Sequence, residues 1–308
     1  MRKVWMVLIS LVLAVGMLTG CAGTEGGASK PIVIYDGQFS EMKIIHQMVK
    51  MLVEEHTDAT VEIRDEMSPV NNYRDLIKGG GSDLMNSYDG TLLTTYLKVD
   101  VSEVPDGKTL YEYANELASE RDKVRLLEPL GHENTYAIGV TQELAAQHGL
   151  NTISDLAAVA PELIFGAEHE FFSEEGSMKY GPFTEFYGLD FKEGKAIELA
   201  LKYSAVESGN IDVTVVYSTD GMNKKVGLKI LEDDRRFFPE YNDALLVRND
   251  LFERYAETAP NLEEVLNILG GQFTNESMTD LTYKVDVDGE TPEEVARDFL
   301  TEKGLVGS

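Results

Sequence analysis

From Pro31 onward, strand and helix signals alternate over about 280 residues, and no other feature of the chain narrows its fold so far. "PIVIYDG" reads as a buried strand, and Ser40 to Glu55 then places Ile44, Ile45, Met48, Val49 and Leu52 at helical spacing behind a candidate cap at Ser40. "ATVEIRDEM" alternates with period two, and "NYRDLIKGGGSDLMNSY" gives a short helix, a glycine break and another strand. A long polar helix from about Thr109 to Val124 leads into a strand in "TYAIGVT", a helix over Gln142–His148 and a capped helix in "TISDLAAVAPEL". "LIFGAEHEF" and "GNIDVTVVYSTDG" are further strands ending in polar residues. This alternation predicts an α/β fold with parallel sheets, in which ligands bind beyond the carboxyl ends of the strands. "SYDGT", Ser87–Thr91, is one such strand end, and it sets a tyrosine beside a carboxylate.

The first thirty residues belong to a different kind of segment. Arg2 and Lys3 precede an apolar run from Val4 to Leu18, the n-region and h-region of a secretory signal, and Leu18-Thr19-Gly20-Cys21 resembles a bacterial lipobox. Residues 1–20 are therefore expected to be a lipoprotein signal peptide. Residues 21–30 are expected to be the lipidated Cys21 and a flexible tether, "AGTEGGASK", on the extracytoplasmic face of the bacterial cell membrane. Cys21 is the one cysteine, so the chain has no internal disulfide and no thiolate cluster. With 54 acidic and 27 basic residues the surface repels nucleic acid and anionic head groups, which leaves the lipid as anchor. At 43% hydrophobic residues the chain still has ample material for a packed core.

Motifs for catalysis and phosphate binding are absent. "GLDFKEGKA" has the wrong glycine spacing for a P-loop and carries Ala196 where a hydroxyl should hold magnesium, and "GGGSDL" lacks a dinucleotide fingerprint. His46, His56, His132, His148 and His169 are scattered, with no pair at metal-ligand spacing, and no G-x-S-x-G elbow occurs. The expectation is a protein that is not an enzyme, with no cofactor and no metal.

Longer segments are more specific. "LEPLGHENTYAIGV", "TISDLAAVAPEL", "FGAEHEFF", "IDVTVVYSTDG", "LEDDRRFFPEYNDALLVR" and "MTDLTYKVDVDGETPEEVARDFL" run in order through the chain after Val124, with "QFSEM" and "SYDGT" as thinner landmarks before it. In these segments the chain resembles the substrate-binding lipoproteins of ABC importers for quaternary ammonium compounds, the glycine betaine, carnitine and choline binding family. The resemblance implies a type II-like two-lobed periplasmic-binding-protein fold, each lobe a mainly parallel sheet flanked by helices, with ligand in the cleft between lobes. It places the first part of lobe 1 at 31–131, lobe 2 at 132–236 and the second part of lobe 1 at 237–308, with crossings near Gly131–Asn134 and Arg235–Phe238. It also implies a monomer that delivers its ligand to an ABC permease with a cytoplasmic ATPase.

In that family four tyrosines box the trimethylammonium group, and the matching positions are Tyr88, Tyr136, Tyr217 and Tyr241, half from each lobe. The chemistry suits the ligand, because a quaternary ammonium has no N–H to donate and is held by aromatic faces, carboxylates and carbonyls. The only tryptophan, Trp5, lies in the signal, so tyrosine must supply the walls. Gln38, Thr91 and Asp89 are candidates for the ligand's hydroxyl. Glu174 stands where carboxylate-binding members resemble one another in carrying a basic residue. Asp89 and Glu174 disfavour a zwitterion, so choline is expected over glycine betaine or carnitine. A sensing lipoprotein or a surface enzyme acting on choline compounds are more distant alternatives.

Overall fold

The computed structural model describes residues 30–79, 81–172, 178–198, 201–239 and 241–307; the signal, Cys21, most of the tether and Glu174 lie outside the described residues. Among the described residues no helix is long and apolar enough to cross a membrane.

Pro31–Ser308 form one compact unit built around three sheets. β1 (Ile32–Tyr35) pairs in parallel with β2 (Val61–Arg64) across the helix Ser40–His56. All five residues expected on that helix's inner face, Ile44, Ile45, Met48, Val49 and Leu52, are fully buried, each such side chain stabilising by roughly 1.5–3 kcal/mol. They pack with Val295, Phe299 and Leu300 of the last helix, Pro292–Glu302. Ser40 does not cap this helix. Its hydroxyl bonds Asp286 instead, and Phe39 holds the extended N-cap position without a side-chain bond. The next helix, Pro69–Lys78, ends at Gly79, whose φ of 67° is the left-handed geometry that glycine adopts without strain.

β3 (Leu84–Tyr88), β4 (Val124–Leu126) and β10 (Asp243–Arg248) form the second sheet in the order β3-β10-β4, antiparallel throughout. The third sheet runs β7 (Glu193–Ala196), β6 (Ile164–Ala167), β8 (Val213–Tyr217), β5 (Tyr136–Thr141), β9 (Leu228–Leu231). Its β6 pairs in parallel with β7 and β8, whereas β5 is antiparallel to β8 and β9. The sheets are thus mixed and not mainly parallel. Parallel neighbours require a crossover within one sheet, but β5 and β10 each enter from the other half of the molecule and are free to run the opposite way.

The capped helix expected in "TISDLAAVAPEL" is two 3-10 turns, Ser154–Ala158 and Ala160–Glu162. Pro161 has no N–H to continue an α-helix, and the Asp155 carboxylate turns back to accept from the backbone N–H groups of Asn151 and Thr152.

Two segments connect the halves and bridge each other at Glu133 and Asn242, with Asn134 N–H donating to the Tyr241 carbonyl at 3.2 Å. Within the expected second crossing, Phe237 and Phe238 pack with Phe183 in the core of the third sheet.

Candidate functional site

The elements on either side of these connections enclose a cavity of about 580 Å³. Its wall includes Tyr88 at the end of β3, Tyr136 at the start of β5, Tyr217 at the end of β8 and Tyr241 on the returning connection, so the four tyrosines named from sequence converge. Antiparallel register sets Tyr136 directly opposite Tyr217, where their rings stack with centroids 5.4 Å apart and planes 29° from parallel. Phe39 adds a ring 6.3 Å from Tyr217. Burial pushes all four phenols above their ordinary pKa, and for Tyr88 the neighbouring Glu41 charge adds to it, so each keeps its proton. Gln38 and Thr91 also line the cavity.

Asp89 does not. Its carboxylate is fully buried and accepts from the Asn242 backbone N–H at 3.0 Å, the Asn242 side chain at 2.9 Å and the Gly90 N–H at 2.6 Å. It ties the end of β3 to the strand end that carries Tyr241 and offers nothing to the cavity. Burial raises its pKa to about 7. Gly90 serves the same junction, because a Cβ there would lie 2.4 Å from the Tyr241 ring.

The acidity of the site comes from residues whose contacts only the fold creates. Glu41, on the first turn of the helix Ser40–His56, is 2% exposed, lines the cavity and accepts hydrogen bonds from the Tyr88 hydroxyl, from Asn134 Nδ2 at 3.2 Å and from the Thr219 hydroxyl at 2.5 Å. It thereby joins residues of both halves and their connection. Burial alone would raise its pKa, but the His132 imidazolium beside it, together with the Thr219 and Tyr88 hydroxyls, outweighs that and holds Glu41 below its ordinary value. Asp220, which accepts from Tyr203, and Asp286, which accepts from Ser40, complete the acidic lining. Among the described residues no lysine, arginine or histidine lines the cavity. "QFSEM" holds the signal for Glu41, an acidic residue just beyond a strand end; for Tyr203, Asp220 and Asp286 no local pattern marks a role.

Glu41, His132 and Asp243 are the one group of described side chains whose ligand atoms lie close enough to hold a metal, within 4.8 Å of one another. As packed, the imidazole occupies the place a cation would take, with Nε2 3.0 Å from Asp243 Oδ2 and 3.5 Å from Glu41 Oε1. Burial opposes its charge, but the two carboxylates raise its pKa to about 10.

Comparison with known proteins gives this cavity a context. Residues 30–302 match the family described as the substrate-binding domain of the ABC-type glycine betaine transport system, OpuAC. The carnitine transport binding protein OpuCC of Listeria monocytogenes serotype 1/2a (strain 10403S) is 30% identical, with 97% of each chain aligned. The ergothioneine transport permease/ergothioneine binding protein EgtU of Helicobacter pylori (strain G27) is 30% identical over 90% of this chain, which spans 48% of that longer protein. A crystal structure of a glycine betaine/carnitine/choline ABC transporter superimposes with a TM-score of 0.80 at 28% identity, covering 90% of this chain and 99% of the other.

Proposed function

The chain belongs to the family of substrate-binding domains of ABC-type glycine betaine transport systems, and from that premise we propose that its cavity captures a quaternary ammonium cation, choline before glycine betaine or carnitine, and presents it to a membrane permease. Membership makes the chain the binding component of an importer and not an enzyme. The observation that carries the ligand reading is the composition of the cavity wall. Six tyrosines line it, the four of the box with Tyr96 and Tyr203; its charged residues are Glu41, Asp220 and Asp286; no basic residue among those described lines it, and the Lys202 ammonium, 5.8 Å from the Tyr217 ring centroid, is paired with Glu168 at 2.6 Å.

Each aromatic face attracts a desolvated cation by roughly 0.5–2 kcal/mol. A carboxylate on the same ligand meets like charge, which at an effective dielectric near 20 costs roughly 2–4 kcal/mol within about 4–8 Å. Choline carries a hydroxyl in that place, for which Gln38 and Thr91 are partners. Closure of the two lobes over the box completes the site, since half the tyrosines come from each side, and the closed form is what a permease distinguishes. Anchoring through a lipidated Cys21 holds this monomeric domain at the outer face of the cell membrane, beside its permease.

Calorimetric titration of the domain that follows Cys21 with choline, glycine betaine, carnitine and ergothioneine tests the reading. Choline binding tightest is the expected result. Tighter binding of any of the three carboxylated ligands overturns the choice of choline, and absence of heat with all four overturns the quaternary ammonium assignment.

A further inference from the structure

Among the described residues, one group of ionisable side chains lies shielded from water at and directly behind the cavity wall. Glu41, His132 and Asp243 are 2%, 1% and 0% exposed, and they reach one point from the helix Ser40–His56, from the first connecting segment and from the first residue of β10. Asp243 sits opposite Tyr88 in the β3–β10 register, and Glu41 accepts the Tyr88 hydroxyl, so the trio is one side chain away from the aromatic box.

Its partners account for little of its charge. Asp243 Oδ1 accepts from Asn86 Nδ2 at 2.6 Å, and Glu41 is met by Tyr88, Asn134 and Thr219, all neutral donors. Neither lysine nor arginine forms an ion pair with these carboxylates among the described residues. The His132 ring is the only cation beside them among those residues, and its 3.0 Å and 3.5 Å approaches are ion-pair contacts without hydrogen-bond alignment. Burial raises the Asp243 pKa against the pull of His132, and with both carboxyls ionised two negative charges face one positive charge at most, in a place that salt does not reach.

We propose that the buried trio Glu41–His132–Asp243 is a specificity determinant of the site, whose net negative charge with both carboxyls ionised lies against Tyr88 and favours a plain cation over a zwitterion. This rests on the reading of the cavity as a quaternary ammonium site and names what discriminates within that class. A cation gains the full attraction of a charge behind the wall. A zwitterion gains only the difference between attraction at its ammonium and repulsion at its carboxylate. Over about 10 Å at an effective dielectric near 20, one unit charge changes an equilibrium by roughly tenfold.

The test compares the wild-type domain with Asp243→Asn, which keeps the side-chain shape and removes one charge. Three ligands are titrated: choline, glycine betaine and 3,3-dimethylbutan-1-ol, the uncharged carbon analogue of choline. The expected result is about tenfold weaker choline binding, glycine betaine changed by less than about threefold, and the neutral alcohol unaffected. Equal losses for all three ligands would reveal a merely structural role, and an unchanged choline-to-betaine ratio would refute the charge effect; either overturns the proposal. If wild-type protein binds none of the cations, the quaternary ammonium reading fails with it. A second measurement needs no variant. The ratio of choline to neutral-alcohol affinity in wild-type protein is expected to persist from 0.05 M to about 1 M salt, where the screening length is about 3 Å. A ratio that collapses at high salt assigns the preference to exposed charge and overturns the proposal.

Discussion

Replacing Gly90 with alanine offers a measurement of one wall of the box without touching any ring. Gly90 does not have a positive φ, so its backbone admits alanine, and the effect of the substitution is that of one methyl group. That methyl carbon would lie 2.4 Å from two atoms of the Tyr241 ring and 2.8 Å from a third. Carbon atoms in ordinary contact are about 3.5–4.0 Å apart, so the ring must retreat by more than about 1 Å. A displaced wall forfeits up to the contribution of one cation–π face, roughly 0.5–2 kcal/mol, which is a rise in choline Kd of about two- to thirtyfold. Melting temperature is a poor readout here. Alanine gains about 1 kcal/mol over glycine in a helical position, while overpacking costs about 1–3 kcal/mol in the opposite direction. The assay is therefore calorimetric affinity in a double-mutant cycle with Tyr241→Ala. In that background the added methyl meets no ring, and Gly90→Ala is expected to change choline affinity by less than about 0.5 kcal/mol. Wild-type affinity in the single variant, or the same loss in both backgrounds, would refute the packing of Tyr241 over Gly90 as the source of the effect.

Three further outcomes follow from the same geometry. Tyr136→Ala and Tyr217→Ala should each weaken choline binding by about 1 kcal/mol or more, and because their rings stack the double variant should lose less than the sum; strict additivity would count against a shared wall. Folded His132 keeps its proton up to about pH 10, against 6.5 for the unperturbed group. Its contribution to stability is therefore complete below pH 6.5 and is lost as pH rises through 10, so the thermal midpoint should fall over that window. The fall should flatten in His132→Gln, and an unaltered slope would exclude His132 as its source. Asp89→Asn should cost about 1–3 kcal/mol in denaturant unfolding, since an amide cannot accept all the donors of Asn242 and Gly90.

How much of the fold and site is legible in the amino-acid sequence follows the range of the interactions involved. The amphipathic spacing of Ile44 to Leu52 and the turn at Gly79 are local properties, set within one helix or one glycine, and each appears where the pattern places it. The four tyrosines are placed by the motifs around them, since a strand-end tyrosine by itself is as well suited to packing as to binding. The directions of β5 and β10 run against the parallel expectation, because direction depends on which half a strand enters from, and no local residue encodes that. Asp89 reads as a site carboxylate by its sequence proximity to Tyr88. Its three donors come from Gly90 and from Asn242, and Asn242 lies 153 positions away in the chain.

What the amino-acid sequence determined by itself is the set of local choices: α/β alternation, an acidic surface without catalytic motifs, and tyrosine as the only aromatic wall with a polar tip. What the tertiary structure alone decided is the position of charge. Glu41, His132 and Asp243 are far apart in the chain and meet only when helix, connecting segment and returning strand close on one another. The physical reason is that a carboxylate's effect depends on its distance from other charges and on its removal from water, and both quantities come into being only when the chain is packed.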